Sequence, residues 1–94
     1  MEFEKNVEQY LVREVKRLGG ICLKHGQDGW PDRVVILPQA RVAWCELKRT
    51  GGKLAPLQAE RLHELGIRGQ VTAVLWSRED VDKLLSAMHG ENGG

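Results

Sequence analysis

Two strand-forming runs, Arg33 to Leu37 and Arg41 to Lys48, are separated only by Pro38-Gln39-Ala40. Three residues cannot carry a crossover to a parallel neighbour, which takes roughly a dozen or more. The second run is therefore expected to return antiparallel beside the first as a hairpin. The first run, Arg33-Val34-Val35-Ile36-Leu37, is apolar without alternation, which predicts a strand covered on both faces. Helices must supply that cover.

The flanking sequence provides them. From Phe3 to Leu18, Val7, Leu11, Val15 and Leu18 recur on one face with Tyr10 beside them, the period of an amphipathic helix. Gly19-Gly20 ends it. Ile21 to Lys24 reads as a short strand, and Gly26 to Pro31 as a loop. Beyond the hairpin, Thr50-Gly51-Gly52-Lys53 is a loop, and Pro56 opens a second helix running to Leu65, closed by Gly66 and Gly69. Val71 to Trp76 forms a fourth strand. Ser77, with Asp80 three residues on, is placed to cap a last helix that ends near Met88. On that helix Val81, Leu84, Leu85 and Met88 either cover the sheet or meet a second copy. The order αβββαβα predicts an α/β domain, a mixed four-stranded sheet flanked by helices. It spans residues 1–88, with 89–94 as a flexible tail.

Composition narrows the function classes. A chain of 94 residues, 41% hydrophobic and 29% charged, fits one ordinary globular domain. No apolar run is long enough to span a bilayer, and the polar, acidic start Met1-Glu2-Phe3-Glu4-Lys5 is unlike a signal peptide. A cytoplasmic location is expected. Cys22 and Cys45 fall within strands and read as small buried thiols; a zinc site with His25 would lack the usual paired spacing. The net charge of +1 gives no global attraction to nucleic acid. Between Pro31 and Pro56, however, Arg33, Arg41, Lys48, Arg49 and Lys53 accompany only two acids, Asp32 and Glu46. A basic segment with two isolated carboxylates can present a polyanion to a cation site.

Those two acids sit where chemistry can use them. Alternation along the strand puts Glu46 and Lys48 on one face and turns Leu47 into the core, its carbonyl staying near the strand edge. Asp32 follows the fixed φ of Pro31 at the start of the neighbouring strand. The hairpin then brings Asp32 to Lys48 and Glu46. Mg²⁺ commonly takes one or two carboxylates with water and phosphate. A lysine beside it can orient a water or stabilise a developing oxyanion.

Gly29-Trp30-Pro31-Asp32, then Glu46-Leu47-Lys48, then Gln58 in a helix opened by Pro56, resembles the VRR-Nuc branch of the PD-(D/E)xK nucleases. The first helix, with Glu8 and the Gly19-Gly20 end, is similar as well, and the likeness extends nearly to Met88. The resemblance implies a restriction-endonuclease-like fold and a Mg²⁺- or Mn²⁺-dependent deoxyribonuclease. It implies that Asp32, Glu46, the Leu47 carbonyl and Glu8 bind the metal. Lys48 would be the catalytic lysine and Gln58 would stand near the site. The helix alone leaves open whether Glu8 or Glu4 faces the metal, and whether Glu8 faces solvent. Arg33, Arg49, Lys53 and Trp30 are the candidate DNA contacts, although Trp30 is equally placed to pack. Trp44 shares the Glu46 face and is expected under a helix.

Small stand-alone members of this branch resemble Holliday-junction resolvases, which implies a homodimer acting on four-way DNA junctions. Cutting of flap or duplex DNA, or DNA binding without turnover, are the competing expectations.

Overall fold

The computed structural model describes residues 2–89. Its elements follow the expected order: α1 (Glu4–Arg17), β1 (Ile21–Lys24), β2 (Arg33–Leu37), β3 (Arg41–Leu47), α2 (Pro56–Gly66), β4 (Val71–Leu75) and α3 (Arg78–His89). His89 thus closes α3, and the rest of the expected tail lies outside the described residues. The sheet order is β1-β2-β3-β4. The first three strands are antiparallel, and β4 returns parallel to β3 after the α2 crossover.

Side-chain alternation divides the sheet into two unequal faces. Val35, Leu37, Ala43, Cys45, Leu47 and Leu75 point to one side, where Val7, Leu11 and Val15 of α1 and Val81, Leu85 and Met88 of α3 close over them. The last helix therefore buries its apolar stripe on the sheet. Each fully buried aliphatic side chain contributes about 1.5–3 kcal/mol, so this layer dominates the stability. Tyr10 adds a polar tie, its hydroxyl donating to Asp82 of α3 at 2.7 Å.

The other face is thinner. α2 contributes a single buried side chain, Leu65, and is packed toward β4 rather than across the sheet. Val34 and Ile36 are only half-buried, which corrects the expectation that β2 is covered on both faces. Their β1 partners are more open, with Ile21 57% and Leu23 48% exposed. Trp44 lies on this face too, but not under the helix as expected. Its indole N–H donates to Gln70 at 3.1 Å, and its ring stands edge-on to His25 at 6.0 Å.

Local chemistry fixes the ends of these elements. Ser77 Oγ accepts from the Asp80 N–H at 3.1 Å, and the Asp80 carboxylate accepts from the Trp76 N–H at 2.9 Å, the reciprocal cap that starts α3. At the hairpin, Gln39 and Ala40 both take left-handed φ, at 70° and 62°. Neither residue favours that region. At Gly20 a Cβ would stand 2.6 Å from the Ile36 carbonyl and 2.7 Å from Leu37, so α1 can turn into β1 this closely only through glycine.

These two positions predict opposite effects on a urea midpoint. Ala40→Gly relieves a left-handed alanine and should stabilise by about 0.5–1 kcal/mol. Gly20→Ala wedges β1 from β2 and should destabilise by about 1–3 kcal/mol. A lowered midpoint for Ala40→Gly, or an unchanged one for Gly20→Ala, contradicts this account.

Candidate active site

The site begins where β3 outruns β2. Their pairing ends at Arg33 and Cys45, yet β3 continues to Leu47. The Leu47 N–H thus has no strand partner on that side. The Asp32 carboxylate supplies one, its Oδ2 accepting at 2.9 Å. Asp32 is held in turn through its backbone, its carbonyl accepting from the His25 N–H at 2.7 Å, next to the fully buried Pro31. On the opposite side the Lys48 N–H donates to the Leu75 carbonyl of β4 at 3.0 Å. In a planar trans peptide the preceding C=O points the other way. The Leu47 carbonyl therefore faces the side on which Asp32 stands.

Glu46 is 2% exposed, the one buried charged residue among those described. Its Oε2 accepts from Gln58 Nε2 at 3.0 Å and lies 3.5 Å from Lys48 Nζ. Gln58 is oriented by its other end, because its Oε1 accepts from the Ala55 N–H at 2.8 Å at the start of α2. A backbone N–H can only donate, so the amide nitrogen must face Glu46. Gln58 is thus half of a helix cap and half of the site. Each carboxylate is anchored through one oxygen. Asp32 Oδ1 and Glu46 Oε1 have no hydrogen-bond donor among the described residues.

Electrostatics shows the tension in this pair. Burial pushes the Glu46 carboxyl up from an ordinary 4.5 to about 7, and the nearby Asp32 charge pushes the same way. Lys48 opposes both but does not cancel them. Two carboxylates that resist sharing a buried space, with a backbone carbonyl turned toward them, suit a small divalent cation with oxygen ligands. No group of three or more His, Cys, Asp or Glu side chains is set to hold a metal among the described residues. Protein ligation here would rest on Asp32, Glu46 and the Leu47 carbonyl. The same observation removes the zinc arrangement around Cys22, His25 and Cys45. Both thiols are free, and burial pushes Cys45 up to about 12.

Glu8 is not gathered with Asp32 and Glu46 but has a partner of its own. Glu8 accepts from Arg33 Nε at 2.8 Å, and Arg33 Nη1 also reaches the Cys22 carbonyl at 3.2 Å. Glu4, Lys48, Arg49 and Lys53 line one groove. The loop bearing Arg49 and Lys53 is strapped down. Glu2 and Thr50 exchange two hydrogen bonds of 2.9 Å, and Trp76 Nε1 donates to the Gly52 carbonyl at 2.7 Å. Trp30 lies under the Arg61 guanidinium, 4.9 Å from its ring centre. Sequence reasoning missed Arg61, although it stands one turn beyond Gln58 on the same helix. Gly29 explains the closeness of that loop to α2: its φ is +81°, and a Cβ there would stand 2.6 Å from Leu57.

The raised Glu46 carboxyl has a measurable consequence. A group whose pKa is raised by folding contributes stability that is complete below its unfolded value and lost as pH climbs through the folded one. In EDTA the wild type should therefore lose stability between pH 4.5 and 8 relative to Glu46→Gln, with most of the loss as pH passes about 7. The difference should reach on the order of 2 kcal/mol. Parallel stability–pH curves for the two proteins would contradict it.

Comparison with known proteins places this arrangement. No family model matches the chain. A protein of Acyrthosiphon pisum secondary endosymbiont phage 1, named "Putative nuclease p44", is 36% identical over 89 residues, covering 92% of this chain and 95% of its own length. A solved structure described as a VRR_NUC domain superimposes with a TM-score of 0.80 at 31% identity, covering 92% of this chain and 97% of that one. Both likenesses span nearly the whole chain, which belongs to the VRR-Nuc family of nucleases.

Proposed function

We propose that this nuclease is a Mg²⁺- or Mn²⁺-dependent DNA endonuclease that acts as a homodimer on branched DNA, with four-way junctions as its substrate. The observation that carries the reading is the pairing of buried Glu46 with half-buried Asp32, each anchored through one oxygen and pressing on the other. Asp32, Glu46 and the Leu47 carbonyl would hold the ion, while Glu8 of α1 pairs with Arg33 at 2.8 Å. When bound, the ion supplies charge neutralisation at the phosphate undergoing hydrolysis.

The chain's own residues do the rest. Lys48, with its side chain 17% exposed and its ammonium 3.5 Å from Glu46, donates hydrogen bonds to an attacking water or to the phosphoryl oxygen that gains charge. Gln58 keeps Glu46 in one rotamer. Asp32 is fixed to the Leu47 peptide, so its second oxygen meets the substrate side already oriented. Arg33, Arg49 and Lys53 draw in the phosphodiester backbone, with Trp30 at the edge of the site. These basic side chains favour recognition through backbone contacts and DNA shape. The open apolar patch of Ile21 and Leu23 beside Val34 and Ile36 supports pairing with a second copy, which supplies the second cut that a symmetric junction needs.

Labelled four-way junction, flap and linear duplex DNA, incubated with Mg²⁺, Mn²⁺ or EDTA, test this directly. Metal-dependent cutting with preference for the junction is expected, and Lys48→Ala should lower the single-turnover rate by about 10²–10³-fold while leaving the fold intact. Absence of cutting in either metal overturns the enzyme reading in favour of a DNA-binding module. Equal cutting of linear duplex overturns the junction preference, and a monomer in light scattering at all concentrations overturns paired cutting.

A further inference from the structure

Among the described residues five of the 14 cations pair with an acid and nine do not, and five of those nine gather in one region. Arg17, Arg68 and Arg78 are held by Glu14, Glu64 and Glu2 at 3.0, 2.7 and 3.2 Å. Lys5, Arg13, Lys16, Arg49 and Lys53 have no acidic partner among the described residues. All five line two grooves of about 510 Å³ each. One runs along α1, between Lys5, Arg13 and Lys16 on the helix and Arg33 on β2. The other lies between the start of α1 and the Lys48, Arg49 and Lys53 segment. Lys5 borders both, so the grooves join there.

Together they gather seven cations and two carboxylates, Glu4 and Glu8, and Glu8 is already neutralised by Arg33. That is a local charge of +5 on a chain whose net charge is +1, so the rest of the chain is net acidic. An ordinary solvated face mixes both signs. This one does not. Arg13 and Lys16, one helical turn apart, repel each other, as like charges at that spacing do by a few tenths of a kcal/mol. A polyanion laid in the groove reverses that cost. Lys5 to Lys16 spans about 16 Å at 1.5 Å per residue, close to five base pairs at about 3.4 Å each.

The geometry points to a DNA backbone track along the flank of α1. Lys5, Arg13 and Lys16 contact phosphates of a duplex arm that enters the site at Lys48. This rests on the DNA-cutting reading above and adds to it the path of the substrate and three residues outside the catalytic centre. Arg13 and Lys16 are exposed and lie outside the groove that Lys48 lines. They act on binding and leave the chemical step alone.

Duplex binding in EDTA, measured by fluorescence anisotropy over a salt series, tests the track. For Arg13→Gln/Lys16→Gln the slope of log K against log salt should fall by about 1.8, two phosphate contacts at roughly 0.9 each. KM for cleavage should rise while kcat at saturating DNA stays within about twofold. Arg68→Gln/Lys83→Gln removes the same charge elsewhere on the surface and should leave the slope at the wild-type value. A wild type that binds and cuts DNA, beside an α1 variant with an undiminished slope, overturns the track alone. So does an equal loss in the control variant, which would assign the effect to net charge. A wild type that neither binds nor cuts overturns the track together with the reading it rests on.

Discussion

The site depends on one backbone hydrogen bond that the sheet cannot make for itself. β3 extends past the end of its pairing with β2, and the Leu47 N–H would be stranded without the Asp32 carboxylate. An unpartnered N–H beside a packed strand costs about 1–3 kcal/mol, so the fold itself holds Asp32 against the end of β3. Glu46 precedes Leu47 on that strand, and its position follows. What looks like a catalytic pair brought together for chemistry is also the way this sheet finishes its edge. Gln58 repeats the economy, since the amide that caps α2 is the one that steadies Glu46.

Much of this was legible in the sequence. The three-residue connection dictates an antiparallel hairpin, and the hairpin by itself brings Asp32 to Glu46 and Lys48. The stripe of Val7, Leu11 and Val15 and the Ser77 cap were read from period and spacing alone, because both are local. What remained hidden was long-range. The apolar run in β2 gave no sign that α2 would lean toward β4 and leave Val34 and Ile36 half-open. Trp44 was read from strand alternation, which fixes a face but not the neighbour that meets it, and that neighbour proved to be His25 with Gln70. The double role of Gln58 and the Arg61–Trp30 stack depend on how α2 sits against the Gly29 loop, a packing fact with no periodic signature.

The two sides of the molecule answer different demands. The α1–α3 layer holds the continuous core and therefore the stability. The opposite layer is thin, with one buried helix residue and an open apolar strand edge. Unpaired cations gather in the grooves along α1 and the Lys48 segment. A site that is locally strained by like charge thus sits at the edge of a sheet whose other face carries the core.

The central claim is that Asp32 and Glu46 form a divalent-cation site whose apo form holds a proton. Calorimetric titration of Mn²⁺ into the DNA-free protein near pH 6.5, in buffers of different ionisation enthalpy, tests it most directly. The account predicts one binding event that releases a proton as Glu46 ionises, and that disappears in Asp32→Asn. Binding that persists unchanged in Asp32→Asn, or that releases no proton, would contradict it.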